Sequence, residues 1–160
     1  MTWLANLAQQ RSAWLLLAFS AFIFELIALY FQYQMGLEPC IMCIYQRTAM
    51  LGLLAAGLVG AVRPTNLICR ITAFSAWAVA SIWGYLIARQ HIDMQTTTEP
   101  FAFSCEFEPN FPSPLHEWMP HFFAATGDCG NIDWQFAGLS MPALMETVSY
   151  SPLKLPTTHL

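Results

Sequence analysis

The sequence predicts an all-α integral membrane helical bundle with three clear spans. Two observations carry this: a composition too poor in charge for a water-facing surface, and three apolar runs of membrane-crossing length. Only 10% of the 160 residues are charged, whereas 56% are hydrophobic and 14% aromatic. Soluble domains carry roughly a quarter charged residues, so these charges cannot clothe an ordinary surface. The hydrophobicity excludes a disordered chain. Six Lys and Arg against ten Asp and Glu argue against a nucleic-acid partner.

The first run, 13–31, is interrupted by Ser20 and Glu25. The second, 41–62, gathers Gln46, Arg47 and Thr48 in its first third, and the third, 71–88, is uncharged. A crossing needs about 20 residues at about 1.5 Å each. Isolated spans must be helices, because lipid cannot satisfy an open backbone. The joins are 32–39 (Q-Y-Q-M-G-L-E-P), broken by Gly36 and Pro39, and 63–70 (R-P-T-N-L-I-C-R).

Orientation follows from charge. Residues 1–89 hold five Arg and two acids, a net of +3, and residues 90–160 hold Lys154 and eight acids, a net of −7. The positive-inside rule therefore puts the N-terminus and the second join in the cytoplasm and the acidic stretch outside. Arg47 and Arg89 sit near the outer ends of spans, against the count; such a charge either has a role there or snorkels to the interface. The first span is expected to stay attached, since Arg11 is its only basic flank and Ala18-Phe19-Ser20 lies inside the apolar run.

Residues 90–135 form an outer segment in which Pro100, Pro109, Pro112, Pro114 and Pro120 exclude long regular structure. A short helix is expected at 115–125, with Trp118, Met119, Phe122 and Phe123 on one side, lying flat on the membrane. Residues 136–148 contain Pro142 and Glu146 and are too short to span. The tail 136–160 is thus expected to be short, atypical and outside.

Five Cys fall at 40, 43, 69, 105 and 129. Four lie on the expected outer side and one on the inner, a pattern of paired thiols plus a spare. Cys40 and Cys43 form a C-x-x-C at the start of the second span, where the helix macrodipole favours a thiolate. Arg47 is four residues after Cys43, on the same face, and offers charge and donors to an electron-rich group. Redox chemistry, a static helix-capping disulfide with a snorkelling Arg47, and metal binding all fit this spacing. A Cys105–Cys129 bond would close a 25-residue loop and stabilise by roughly 3–4 kcal/mol. Beside a reactive C-x-x-C, a pair in a Pro-rich segment also suits thiol–disulfide exchange.

These residues resemble the DsbB family. The resemblance rests on P-C-I-M-C-I-Y-Q-R, on F-A-F-S-C containing Cys105, on G-D-C containing Cys129, and on W-Q-F-A-G-L-S-M-P. With the R-x-A-W-L-L-L-A-F start it covers roughly residues 10–145. The family consists of inner-membrane proteins that reoxidise the periplasmic thiol oxidant DsbA and pass electrons to quinone. The resemblance implies that a DsbA-like partner attacks Cys105, that Cys129 is released to exchange with Cys40, and that Cys43 faces the quinone with Arg47 beside it. His91 matches the family's quinone-side His; an imidazole titrating near neutrality suits proton delivery. The implied cofactor is ubiquinone, with menaquinone under anaerobic conditions, and no metal is expected.

The chain departs from the family at its C-terminus. Family members have a fourth span beginning near Met141-Pro142, and here the apolar run stops soon after, so the fourth span is expected to be missing or truncated. That predicts weaker packing and weaker support for the quinone site in a shortened or frame-altered member.

Two other classes remain open on the residues. One is Cu(I) handling by Cys40, Met42 and Cys43 with Met35, since soft ligands favour that ion. The other is a non-catalytic scaffold whose disulfides brace an outer loop. Glu25, at mid-span, is expected to be protonated or hydrogen-bonded between helices, with a proton relay as its functional alternative. Trp14, Trp77, Trp83, Trp118 and Trp134 read as core or interface anchors. Cys69 reads as a structural thiol, and His116, His121 and His159 show no metal-ligand spacing.

Overall fold

The computed structural model describes residues 9–96, 115–130, 132, 134–136 and 138–154. Three helices in it are long and apolar enough to cross a membrane: α1 (Arg11–Tyr33), α2 (Ile41–Val62) and α3 (Leu67–Thr96). The middle helix is the most buried and packs against both neighbours. Short helices α4 (Leu115–Trp118) and α5 (Pro120–Phe123) follow, then a hairpin of β1 (Gln135–Phe136) and β2 (Leu139–Ser140), then α6 (Met141–Lys154). The protein is an all-α membrane bundle.

Small residues set the helix spacing, as expected where lipid offers no hydrophobic drive between spans. A Cβ on Gly57 would lie 2.7 Å from the Ala18 backbone nitrogen, and one on Gly60 would collide with the Trp14 indole. On the other side of α2, a Cβ on Gly52 would come within 3.0 Å of the Ala80 Cβ. Trp14 thus anchors the bundle, edge-on to Phe74 with ring centroids 4.9 Å apart. Large apolar side chains such as Leu16, Phe19, Val62, Ile68 and Val79 point outward. That surface suits lipid tails and not water.

The helix ends differ from the apolar runs for local reasons. Helix α3 overruns 71–88 at both ends. At its start the Asn66 side chain accepts from the Ile68 and Cys69 amides at 2.9 and 3.4 Å, so an Asn cap begins the helix ahead of Arg70. At its finish no proline intervenes before Pro100, and the helix carries through residues 90–96 of the expected outer segment. Helix α1 likewise takes in Gln32 and Tyr33 before Gly36, at φ 66°, turns the chain.

The single flat helix expected at 115–125 is two short ones, because Pro120 starts a new helix. Trp118 and Met119 are exposed, but Phe123 is buried and Phe122 lies under Arg47. The segment 136–160 is not an irregular tail throughout. Gly138, at φ 80°, turns the hairpin, and α6 then packs against α3. Pro142 sits in the first turn of α6, where a missing N–H costs nothing. Met145 reaches the core of Ala21, Met50, Leu53 and Ala80. Arg89 pairs with Glu146 at 3.2 Å on the surface, which gives this span-end arginine a partner. At 14 residues the helix is about 21 Å long, short of a full crossing.

Candidate functional site

The C-x-x-C lies where the ends of α1, α2 and α3 meet the segment that follows α3. Cys40 is the N-cap of α2, and its sulfur accepts from the Cys43 amide at 3.3 Å. Pro39 before it holds the chain extended, so the helix starts at the motif. The two sulfurs are 2.7 Å apart, so a bond between them needs only a small shift. Cys40 is buried and Cys43 is half-buried.

Cys129 is brought to the same place. It is 1% exposed and packs in one cluster with Cys40, Ile41, Met42 and Ile87. Two backbone bonds hold its segment there: the Thr126 and Gly127 amides donate to the Pro39 carbonyl at 3.0 and 3.1 Å. Gly127 is required for that approach. A Cβ there would collide with the Glu38 carbonyl oxygen and lie 2.9 Å from its carbon. Hydrogen bonds with Cys129 first, then with Cys43, and burial push the Cys40 thiol well above the usual thiol range. Cys40 is therefore the sulfur shared by two contacts, the geometry that thiol–disulfide exchange needs. Cys105 lies outside the described residues.

Arg47 does not snorkel. It is 6% exposed, and its Nη1 donates to the Gln32 Oε1 at 2.9 Å and the Phe122 carbonyl at 3.0 Å. Its guanidinium lies 5.0 Å from the Phe122 ring centroid, within cation–π range. Gln32 and Tyr33 both donate to the His121 carbonyl. These bonds clamp α5 over the ends of α1 and α2.

His91, on the last turns of α3, is buried against the C-x-x-C. Its Nε2 is 3.6 Å from the Cys40 sulfur, and its Nδ1 is 3.4 Å from the Gln46 Nε2. Gln46 therefore fixes the ring from one side while the other side meets sulfur. The ligand atoms of Cys40, Cys43 and His91 all lie within 4.8 Å of one another, so His91 is a third soft-ion donor beside the thiols.

A cavity of about 560 Å³ opens beside this cluster, lined by Cys40, Cys43, Arg47 and His91 among mostly apolar side chains such as Phe31 and Met50. Its size and its few polar groups match small-molecule and cofactor sites. Met141, Pro142 and Met145 of α6 also line it, so even the short last helix closes one wall. Sequence reasoning missed Gln32, Gln46, Phe122 and Gly127. Gln46 carried a weak signal, one turn after the C-x-x-C, but the others act across the fold.

A family model described as "Disulfide bond formation protein DsbB" matches residues 10–153. The chain belongs to the DsbB family. Relatives named "Disulfide bond formation protein B" agree. That from Pseudoalteromonas translucida (strain TAC 125) is 67% identical over 150 residues, covering 92% of this chain and 87% of the relative. That from Psychromonas ingrahamii is 53% identical over 153 residues, 94% and 82% of the two chains. That from Shewanella denitrificans is 48% identical over 155 residues, 94% and 88%. The chain is a multi-pass membrane protein of disulfide bond formation.

Proposed function

We propose that the protein reoxidises a DsbA-like periplasmic dithiol and delivers the electrons to membrane quinone through two cysteine pairs. The observation that carries the reading is Cys40, in contact with Cys43 and with Cys129 at the wall of an apolar cavity. In the resting state the pairs are Cys105–Cys129 and Cys40–Cys43. A partner thiolate attacks Cys105, which forms a mixed disulfide and frees Cys129. Cys129 attacks Cys40, which breaks the Cys40–Cys43 bond and frees Cys43 as a thiolate. The partner's second thiol then releases Cys105 and leaves oxidised. Cys105 retrieves Cys129 from Cys40, and the dithiol Cys40/Cys43 remains.

The donor set fits a quinone. The walls are apolar, the volume is right for a ring and part of its tail, and Cys43, Arg47 and His91 offer a sulfur nucleophile, a cation and an imidazole. Ubiquinone bound there supplies a two-electron, two-proton acceptor, with menaquinone as the anaerobic counterpart. Closing the Cys40–Cys43 disulfide releases two electrons and two protons, so the half-reactions balance. Arg47 stabilises the Cys43 thiolate and negative charge developing beside it. His91, 3.6 Å from the Cys40 sulfur, accepts the Cys40 proton and passes it on. In this reading the site faces the periplasm of a bacterial inner membrane and the N-terminus is cytoplasmic.

The half-reaction tests this without the partner. The fully reduced protein is mixed anaerobically with decylubiquinone, and free Cys40 and Cys43 are counted by alkylation and mass mapping. One hydroquinone per Cys40–Cys43 disulfide formed is expected, and none from the Cys43→Ala protein. Persistence of both thiols in the folded wild type would overturn the quinone step.

A further inference from the structure

Glu25 is the buried ionisable residue at the cavity that the cysteine route leaves unused; Glu38 and Asp128 also line it but are exposed. It sits on α1, is 6% exposed, and lines the same cavity as Cys43 and Arg47. Among the described residues its Oε1 is buried with no hydrogen-bond partner. Arg47 turns its Nη1 elsewhere, to Gln32 and Phe122. No ion pair joins Glu25 and Arg47 among the described residues.

A membrane-depth carboxylate outside a hydrogen-bonded ion pair is costly, and a neutral carboxyl avoids that cost. The neutral carboxyl is then one O–H donor plus acceptor oxygens. A buried polar side chain left unmatched destabilises the fold, whereas an apolar one in its place would pack freely. Its position on a cavity wall lets a group in the cavity complete it. The ligand class the cavity takes carries acceptor oxygens on a flat ring, and the carboxyl is a donor at the wall that such an oxygen would meet.

We infer that Glu25 is a ligand-binding residue of the quinone site, its protonated carboxyl donating a hydrogen bond to a ring carbonyl oxygen. This rests on the quinone reading above. It separates the tasks on the wall: Cys43 would supply the thiolate, Arg47 the charge, and Glu25 a neutral donor from the neighbouring helix.

The test is binding of decylubiquinone to the full-length, oxidised protein, in which no electrons flow. Quenching of tryptophan fluorescence gives Kd, and infrared difference spectra follow the carboxylic C=O stretch. Glu25→Leu is expected to weaken binding about tenfold, the worth of one hydrogen bond. Glu25→Gln, which keeps an N–H donor, stays within about threefold of wild type. In the wild type, ligand addition shifts the C=O stretch to lower frequency, and Glu25→Gln lacks that band. A Glu25→Leu protein that binds as tightly as wild type overturns the inference, as does an unmoved C=O band in ligand-saturated wild type, which needs no variant to fold. Failure of the wild type to bind decylubiquinone at all sinks the quinone reading itself, a different result from a ligand that binds without Glu25.

Discussion

Replacing Gly127 with valine is expected to uncouple the two halves of the reaction. The Gly127 amide donates to the Pro39 carbonyl, and a side chain there meets the Glu38 carbonyl. The segment 126–129 must then lift from the loop that precedes the C-x-x-C, and it carries Cys129 away from Cys40. Displacement of a reacting group by about 1 Å costs about 100-fold. Partner-driven turnover of Gly127→Val should therefore fall by about 100-fold. The helices, Cys40, Cys43 and Arg47 do not depend on that contact, so quinone-driven oxidation of reduced Cys40/Cys43 should stay within about threefold of wild type. The ratio of the two rates reads out the effect. Equal losses in both would show that Gly127 supports the fold generally and does not place Cys129.

Arg47 should show the opposite split. Arg47→Met removes the charge beside Cys43 and the donor shared by Gln32 and Phe122. Deleting one preorganised donor of this kind costs about 100-fold or more in rate. The quinone half-reaction is expected to fall by about that factor, with exchange from Cys129 to Cys40 far less affected. Arg47→Lys keeps the charge but not the planar fork, and should lie between. Stopped-flow rates for the half-reaction, with KM for decylubiquinone resolved from kcat, measure both variants. An Arg47→Met protein with an unchanged half-reaction would remove Arg47 from the chemistry and leave it as a clamp on α5.

Much of the membrane architecture was legible because lipid imposes a simple rule: long apolar helices. The C-x-x-C and Arg47 stood out for the same reason, as polar chemistry at the ends of apolar runs, whereas His91 stood out only through the family resemblance. The ends of α3 were not legible from hydropathy. Arg70 interrupts the apolar run, whereas the actual start is decided by the Asn66 cap, and the polar residues 89–96 stay helical because nothing breaks the ladder. The partners of Arg47 were hidden as well. Gln32 and Phe122 lie 15 and 75 positions from Arg47, and only the fold brings them together. Gly127 reads in sequence as an ordinary loop glycine. Its role appears once Gly127 is seen pressed against Glu38. Helix α6 was obscured by Pro142 and Glu146, which look like breakers in an apolar count but serve as a first-turn proline and the partner of Arg89.

The most direct measurement of the whole route is turnover. The protein, purified in mild detergent, is supplied with reduced DsbA and a soluble ubiquinone analogue, and quinone reduction is followed by absorbance. Continuous reduction at one hydroquinone per DsbA disulfide formed is expected, abolished by Cys43→Ala and by Cys105→Ala. Folded, helical protein that reduces no quinone, or turnover that survives either substitution, would contradict a route through two cysteine pairs to the membrane acceptor.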